Sequence, residues 1–143
     1  MSTCVLTWNL FHGRSVPAAG RSLRLEFASM LAGWRWDVAL LQEVPPWWTA
    51  DLAAACAARG AAVLTSRNSA LPLRHALAER WPDAIKSNGG GANVILLRDT
   101  SERLRSSHVR LRVWPERRVA QAVWLPDGSV AVNYHGSARV PLA

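Results

Sequence analysis

The sequence predicts an α/β (α+β) domain: a mixed, largely antiparallel sheet with helices packed on one face. Three observations carry that expectation. The first part of the chain alternates apolar, β-branched runs with helical stretches, and the last part is a series of strand-like runs joined by short turns. Half of the 143 residues are apolar, enough for one real core. No internal repeat, low-complexity tract or linker divides the chain, so residues 1–143 read as a single domain.

The elements follow in order. "CVLTWNL", residues 4–10, is a short apolar and β-branched run and reads as a buried strand. "FHGRSVPAAG" is punctuated by Gly and Pro and reads as a loop. From Ser22 the residues Leu23, Phe27, Met30, Leu31 and Trp34 recur at helical spacing, with Arg24 and Glu26 on the other side, which predicts an amphipathic helix. "DVALLQE", residues 37–43, is a second buried strand, and "PPWWTADLAAACAARG" gives a helix with proline in its first turn and glycine past its end. "AAVLTS" predicts a third strand. Residues 67–86 mix a helical patch, "RHALAERW", with loop residues, and "SNGGG" is a turn. Beyond it "ANVILLR", "SHVRLRVW", "RVAQAVWL" and "SVAVNYH" read as four strands of a meander, with alternation clearest in "HVRLRVW".

Composition bounds the function. The formal charge of +7 comes almost wholly from arginine, since Lys86 is the only lysine. Arginine is the better fork for phosphate oxygens, so an anionic partner fits, and a solvated arginine-biased surface fits equally. Cys4 and Cys56 match no metal-ligand spacing and form no disulfide framework; both read as small buried residues. The start lacks a charged leader followed by an apolar run, and no stretch approaches bilayer-spanning length, so the expectation is a cytoplasmic protein with no membrane partner. Of the eight tryptophans, Trp34, Trp36, Trp47 and Trp48 flank predicted elements and are expected at core edges.

Several polar side chains stand at strand ends: Asn9, Glu43, Asn93 near the start of its strand, and His135. Aligned in one sheet, such ends share a rim, where open α/β sheets place their ligands. Singly, Asn9 can satisfy a turn and His135 can be an ordinary loop histidine. Glu43 demands more, because a carboxylate beside a buried strand needs a cation, either a hard divalent ion or one of the many arginines.

Taken in order, "LTWNLFHGR", "DVALLQEVPPW", "GGGANVILLR" and "PERRVAQAVWLPDGSVAVNYHGS" resemble the N-terminal half of the endonuclease/exonuclease/phosphatase superfamily, the deoxyribonuclease I-like sandwich. The resemblance runs over nearly the whole chain. It implies that Glu43 is the carboxylate ligand for Mg²⁺ or Mn²⁺ and that Asn9 lies beside that metal, orienting the glutamate or an ion-bound water. It implies that His135 contacts the phosphate or serves as general acid, and that Arg117 or Arg118 supports the site. Asn93 falls where the family places a substrate-facing residue, although Ala92 replaces the usual glycine. The implied chemistry is phosphodiester or phosphomonoester hydrolysis on a phosphate-containing substrate such as DNA.

The sequence also departs from that pattern. Complete members carry an Asp-x-Asn motif for the attacking water and a late Ser-Asp-His motif; neither occurs here, and the last aspartate is Asp127. In the family each half of the sandwich covers the other, so a lone first half should expose a sheet face. The chain is then either a fragment whose missing half covers that face, or one that covers it by self-association or with a partner. The alternative functions are a non-catalytic, arginine-rich nucleic-acid-binding module and a degenerate remnant.

Overall fold

The computed structural model describes residues 2–65, 70–83, 91–100, 104–114 and 117–136. Among these described residues, seven strands and three helices follow in chain order: β1 (Val5–Asn9), α1 (Arg24–Gly33), β2 (Val38–Val44), α2 (Thr49–Ala55), β3 (Arg59–Leu64), α3 (Leu71–Arg80), β4 (Ala92–Leu97), β5 (Ser106–Arg112), β6 (Arg118–Trp124) and β7 (Val130–Tyr134). Short 3₁₀ turns at Phe11–Gly13 and Pro46–Trp48 follow β1 and β2.

Two sheets form. The first has the order β1-β2-β4-β3, with β1 parallel to β2 and the other pairs antiparallel; the second is an antiparallel β5-β6-β7 meander. The parallel pair needs a crossover, and α1 supplies it. β4 is therefore not part of the expected four-strand meander. Its six residues are all buried because it pairs with strands on both edges and is covered on both faces. Sheet membership is set by non-local pairing, which a local apolar run does not encode.

Two apolar layers hold the sandwich. Leu31, Trp36, Leu41, Leu52, Val94 and Leu96 pack between the helices and the first sheet, while Val38, Ile95, Leu97, Val123 and Ala131 pack between the sheets. Alternate residues of β2 serve the two layers, which explains its near-continuous apolar run. Each fully buried Leu or Ile in them contributes about 1.5–3 kcal/mol.

The end of α1 is fastened by one side chain. Arg98, just past β4, donates to the carbonyls of Leu31 (3.2 Å), Ala32 (3.1 Å) and Trp34 (2.9 Å), and its guanidinium lies 3.9 Å from the centre of the Trp36 ring. A cation here answers the unpaired carbonyls of the helix end.

Among the described residues, nothing covers the outward face of the second sheet. Val109, Val130, Val132 and Tyr134 are each about half exposed, and the pairing places Val109 and Tyr134 on either side of Ala120, and Ala122 beside Val132. β5 is exposed along its whole length, so its alternation of apolar residues with arginines does not mark a buried face. Cys56 is buried and Cys4, just before β1, is half-buried. Trp36 and Trp48 are core residues, whereas Trp34 stays 38% exposed. The "SNGGG" turn lies outside the described residues except for Gly91. Among the described residues, no helix is long and apolar enough to cross a membrane.

Candidate active site

Glu43 is placed by an irregularity. The β2–β4 register shifts between Leu41 and Val44, and Glu43 inside that shift has φ of +52°. A bulge of this kind re-aims one side chain, and a non-glycine residue is held at positive φ only where its surroundings fix it.

A second left-handed segment faces it. Asn9 Oδ1, at the end of β1, accepts the Phe11 N–H at 2.8 Å and so shapes the following turn. Phe11 (φ +49°), His12 (φ +56°) and Gly13 (φ +74°) are then all left-handed. Only glycine fits at the third place, since a Cβ there would stand 2.3 Å from the Trp48 ring. The turn brings His12 Nε2 to 3.4 Å from Glu43 Oε2.

The other carboxylate oxygen faces the second sheet. His135, following β7, places Nε2 3.6 Å from Glu43 Oε1. Arg118 at the start of β6 stands behind that imidazole, with Nη1 3.5 Å from His135 Nδ1 and donating to the His135 carbonyl at 3.3 Å. Of the two candidate arginines, Arg118 makes this contact. Glu43 thus lies between two imidazoles, with a guanidinium beyond one of them.

Buried amides join the sheets beneath this rim. Gln42 Nε2 donates to Asn133 Oδ1 at 2.8 Å, and Asn133 Nδ2 donates to the carbonyls of Leu41 (2.8 Å) and Val94 (3.1 Å). Gln121 Nε2 donates to Ala61 O at 2.9 Å in the same layer. Asn93 is buried there too: its Nδ2 donates to Val119 O at 3.1 Å, while its Oδ1 has no hydrogen-bond partner among the described residues. Asn9, Glu43, His135 and Arg118 therefore gather at one rim, and Asn93 sits between the sheets.

His12, Asn133 and Gln121 were not singled out from the sequence, and Gln42 entered only as the neighbour of Glu43 at the strand end. The amides did leave a signal, since they occupy inward positions of strands that are otherwise apolar on that face. His12 left none, because its aim depends on the left-handed turn.

The rim opens onto a cleft of about 450 Å³ whose walls include Phe11, His12, Arg14, Val16 and Glu43. Asp83 fixes one wall, accepting the Gly20 N–H at 2.7 Å and pairing with Arg14 at 3.5 Å. Among the described residues, no group of three or more His, Cys, Asp or Glu side chains forms a ready metal cage. The residues do fit a divalent ion held by one carboxylate and completed by water or phosphate oxygens. Glu43 keeps about a fifth of its side chain exposed, and among the described residues its close partners are the imidazoles of His12 and His135 rather than an arginine.

Two sheets packed face to face, with helices outside the first and polar strand ends at one rim, make this a deoxyribonuclease I-like fold. The model of the Endonuclease/Exonuclease/phosphatase family matches residues 6–142, and the chain belongs to that family. A crystal structure of an endonuclease/exonuclease/phosphatase from Beutenbergia cavernae is similar over 93% of this chain and 38% of its own, at 20% identity and a TM-score of 0.62. One from Bacteroides vulgatus is similar over 93% and 52%, at 15% identity and 0.58. A mannosyl-6-phosphatase from Bacteroides thetaiotaomicron is similar over 93% and 50%, at 14% identity and 0.54. At these identities the likeness shows the fold. The chain spans about two fifths to one half of these relatives. No curated protein matches the sequence.

Proposed function

We propose that this chain carries the Glu43, His135 and Arg118 side of a divalent-metal-dependent phosphoesterase site, for phosphodiester or phosphomonoester hydrolysis with Mg²⁺ or Mn²⁺. The observation that carries the reading is Glu43, bulged out of β2 at positive φ, with an imidazole against each oxygen. A bound ion would neutralise charge on the phosphate oxygens and acidify a bound water. His135, beside Glu43 Oε1, holds the phosphate or protonates the leaving oxygen as the P–O bond breaks. Arg118 keeps that imidazole in place and adds fixed positive charge for the anion. Asn9 acts through the turn it caps. The absent Asp-x-Asn motif would supply the base for water, so hydrolysis calls for that part in addition.

The test is calorimetric titration of the 143-residue chain with Mg²⁺ and Mn²⁺ beside Glu43→Gln. Ion binding should be lost in the variant. Retention of wild-type ion affinity in Glu43→Gln would overturn the reading.

One observation favours a second reading, nucleic-acid binding without hydrolysis. Arg110 and Arg112 lie on the wholly exposed β5, and Arg105 just before it stacks 4.6 Å from the Trp124 ring. Binding of this kind weakens steeply with salt and ignores Mg²⁺.

A further inference from the structure

We infer that His12 is a second protein donor to the ion, making with Glu43 a mixed nitrogen and oxygen clamp that favours Zn²⁺ and Co²⁺ over Mg²⁺. The inference rests on the reading of Glu43 as the residue that carries the ion.

Donor spacing is the first argument. Two donors on one ion, each with an arm of about 2.1 Å, stand about 3.0 Å apart at octahedral angles and about 3.4 Å apart at tetrahedral angles. His12 Nε2 and Glu43 Oε2 are 3.4 Å apart. That matches the tetrahedral value, and it is too long for a charge-assisted hydrogen bond, which runs at about 2.7–2.9 Å. The second argument is placement. Two separate left-handed segments, the turn at Phe11–Gly13 and the bulge at Glu43, bring the two donors together at the same point.

Access and chemistry agree with this. Both donors line the same cleft, so an ion entering it reaches both. His135 faces the opposite carboxylate oxygen, which leaves it for the phosphate. Two protein donors leave the remaining positions to water or substrate oxygens, in keeping with the lack of a larger donor group among the described residues. Imidazole suits Zn²⁺ and Co²⁺, whereas Mg²⁺ takes oxygen ligands almost exclusively.

The experiment titrates the 143-residue chain with Zn²⁺, Co²⁺ and Mg²⁺ by calorimetry and follows the visible absorption of the Co²⁺ form. It compares wild type with His12→Asn, His12→Ala, Glu43→Gln and His135→Ala. Asparagine tolerates the left-handed region, so His12→Asn keeps the turn while removing the imidazole. Both His12 variants should weaken Zn²⁺ and Co²⁺ by at least about 10-fold, bleach the Co²⁺ bands and leave Mg²⁺ within about threefold. His135→Ala should leave ion binding unchanged, and Glu43→Gln should weaken all three ions. Wild-type Zn²⁺ and Co²⁺ affinity in the His12 variants would overturn the assignment of His12 while the reading of Glu43 stands. Ion binding that survives Glu43→Gln would remove the basis of both. An equal loss for all ions in the His12 variants would overturn the clamp in favour of a structural role, and so would a wild-type chain that binds none.

Discussion

Gln42 and Asn133 meet across the two sheets at 2.8 Å, one residue before Glu43 and two residues before His135. The bond ties the strand ends that carry the two facing groups, so the gap between them is set by a buried polar link rather than by apolar packing alone. Both amides are almost fully buried.

Asn133→Ala should therefore do more than unfold the sandwich a little. It leaves Gln42 Nε2 and the carbonyls of Leu41 and Val94 short of a partner, at a cost of about 2–4 kcal/mol. Urea unfolding reads that cost. Ion affinity should fall by less than in Glu43→Gln, because the carboxylate remains.

Arg118 should matter for the anion and not for the ion. Arg118→Ala is expected to weaken inorganic phosphate binding about 10-fold, with Arg118→Lys recovering only part, since Nη1 alone makes both contacts with His135 and an ammonium carries no second planar N–H group for the anion. Phosphate titrations at fixed Mn²⁺ measure this, and Mn²⁺ affinity should hold in both variants.

Arg98→Ala should destabilise the fold by about 2–3 kcal/mol, because three carbonyls around the end of α1 lose a charged donor and Trp36 loses its cation. Arg98→Lys should recover less than half. Thermal unfolding followed by circular dichroism tests both.

Asp127 gives a dependence on acid. Ser129 donates to its carboxylate from both the hydroxyl (2.6 Å) and the backbone N–H (2.9 Å), which holds the carboxyl below its ordinary range. A group whose folded pKa is depressed adds stability above its unfolded value, near about 3.9, and loses it as pH falls through the folded value. Asp127→Asn should therefore lower stability slightly at neutral pH, where the contribution is fully present, and converge with wild type as the pH falls through the folded value, which chemical unfolding at several pH values measures. Because the group is fully exposed, the change should be small.

Much of this was legible in the sequence, for physical reasons. β1 and β2 announce themselves as apolar runs and α1 by its spacing, whereas α2 is shorter than its sequence signals suggest, since the prolines form a separate turn before it and Gly60, read as its stop, lies inside β3; Glu43 stands out because a charge terminates an apolar run. The place of β4 was hidden, since its run looks like its successors' and only its partners distinguish it. The choice between Arg117 and Arg118 turned on strand phase, where one residue changes the face. His12 was hidden most deeply: three successive left-handed residues, held by the Trp48 ring against Gly13, have no periodic signature.

That ring also gives the molecule a built-in optical probe. The Trp48 indole packs on the backbone one residue from His12 and lies 5.6 Å from the Phe27 ring, shielded from water. Arrival of an ion or a phosphate that draws His12 toward the carboxylate would press on the same turn and alter the emission of the indole. With the exposed Trp81 and Trp114 changed to phenylalanine to reduce the water-quenched background, occupancy of the rim becomes a shift in the summed ultraviolet emission of the six remaining indoles, readable without a label.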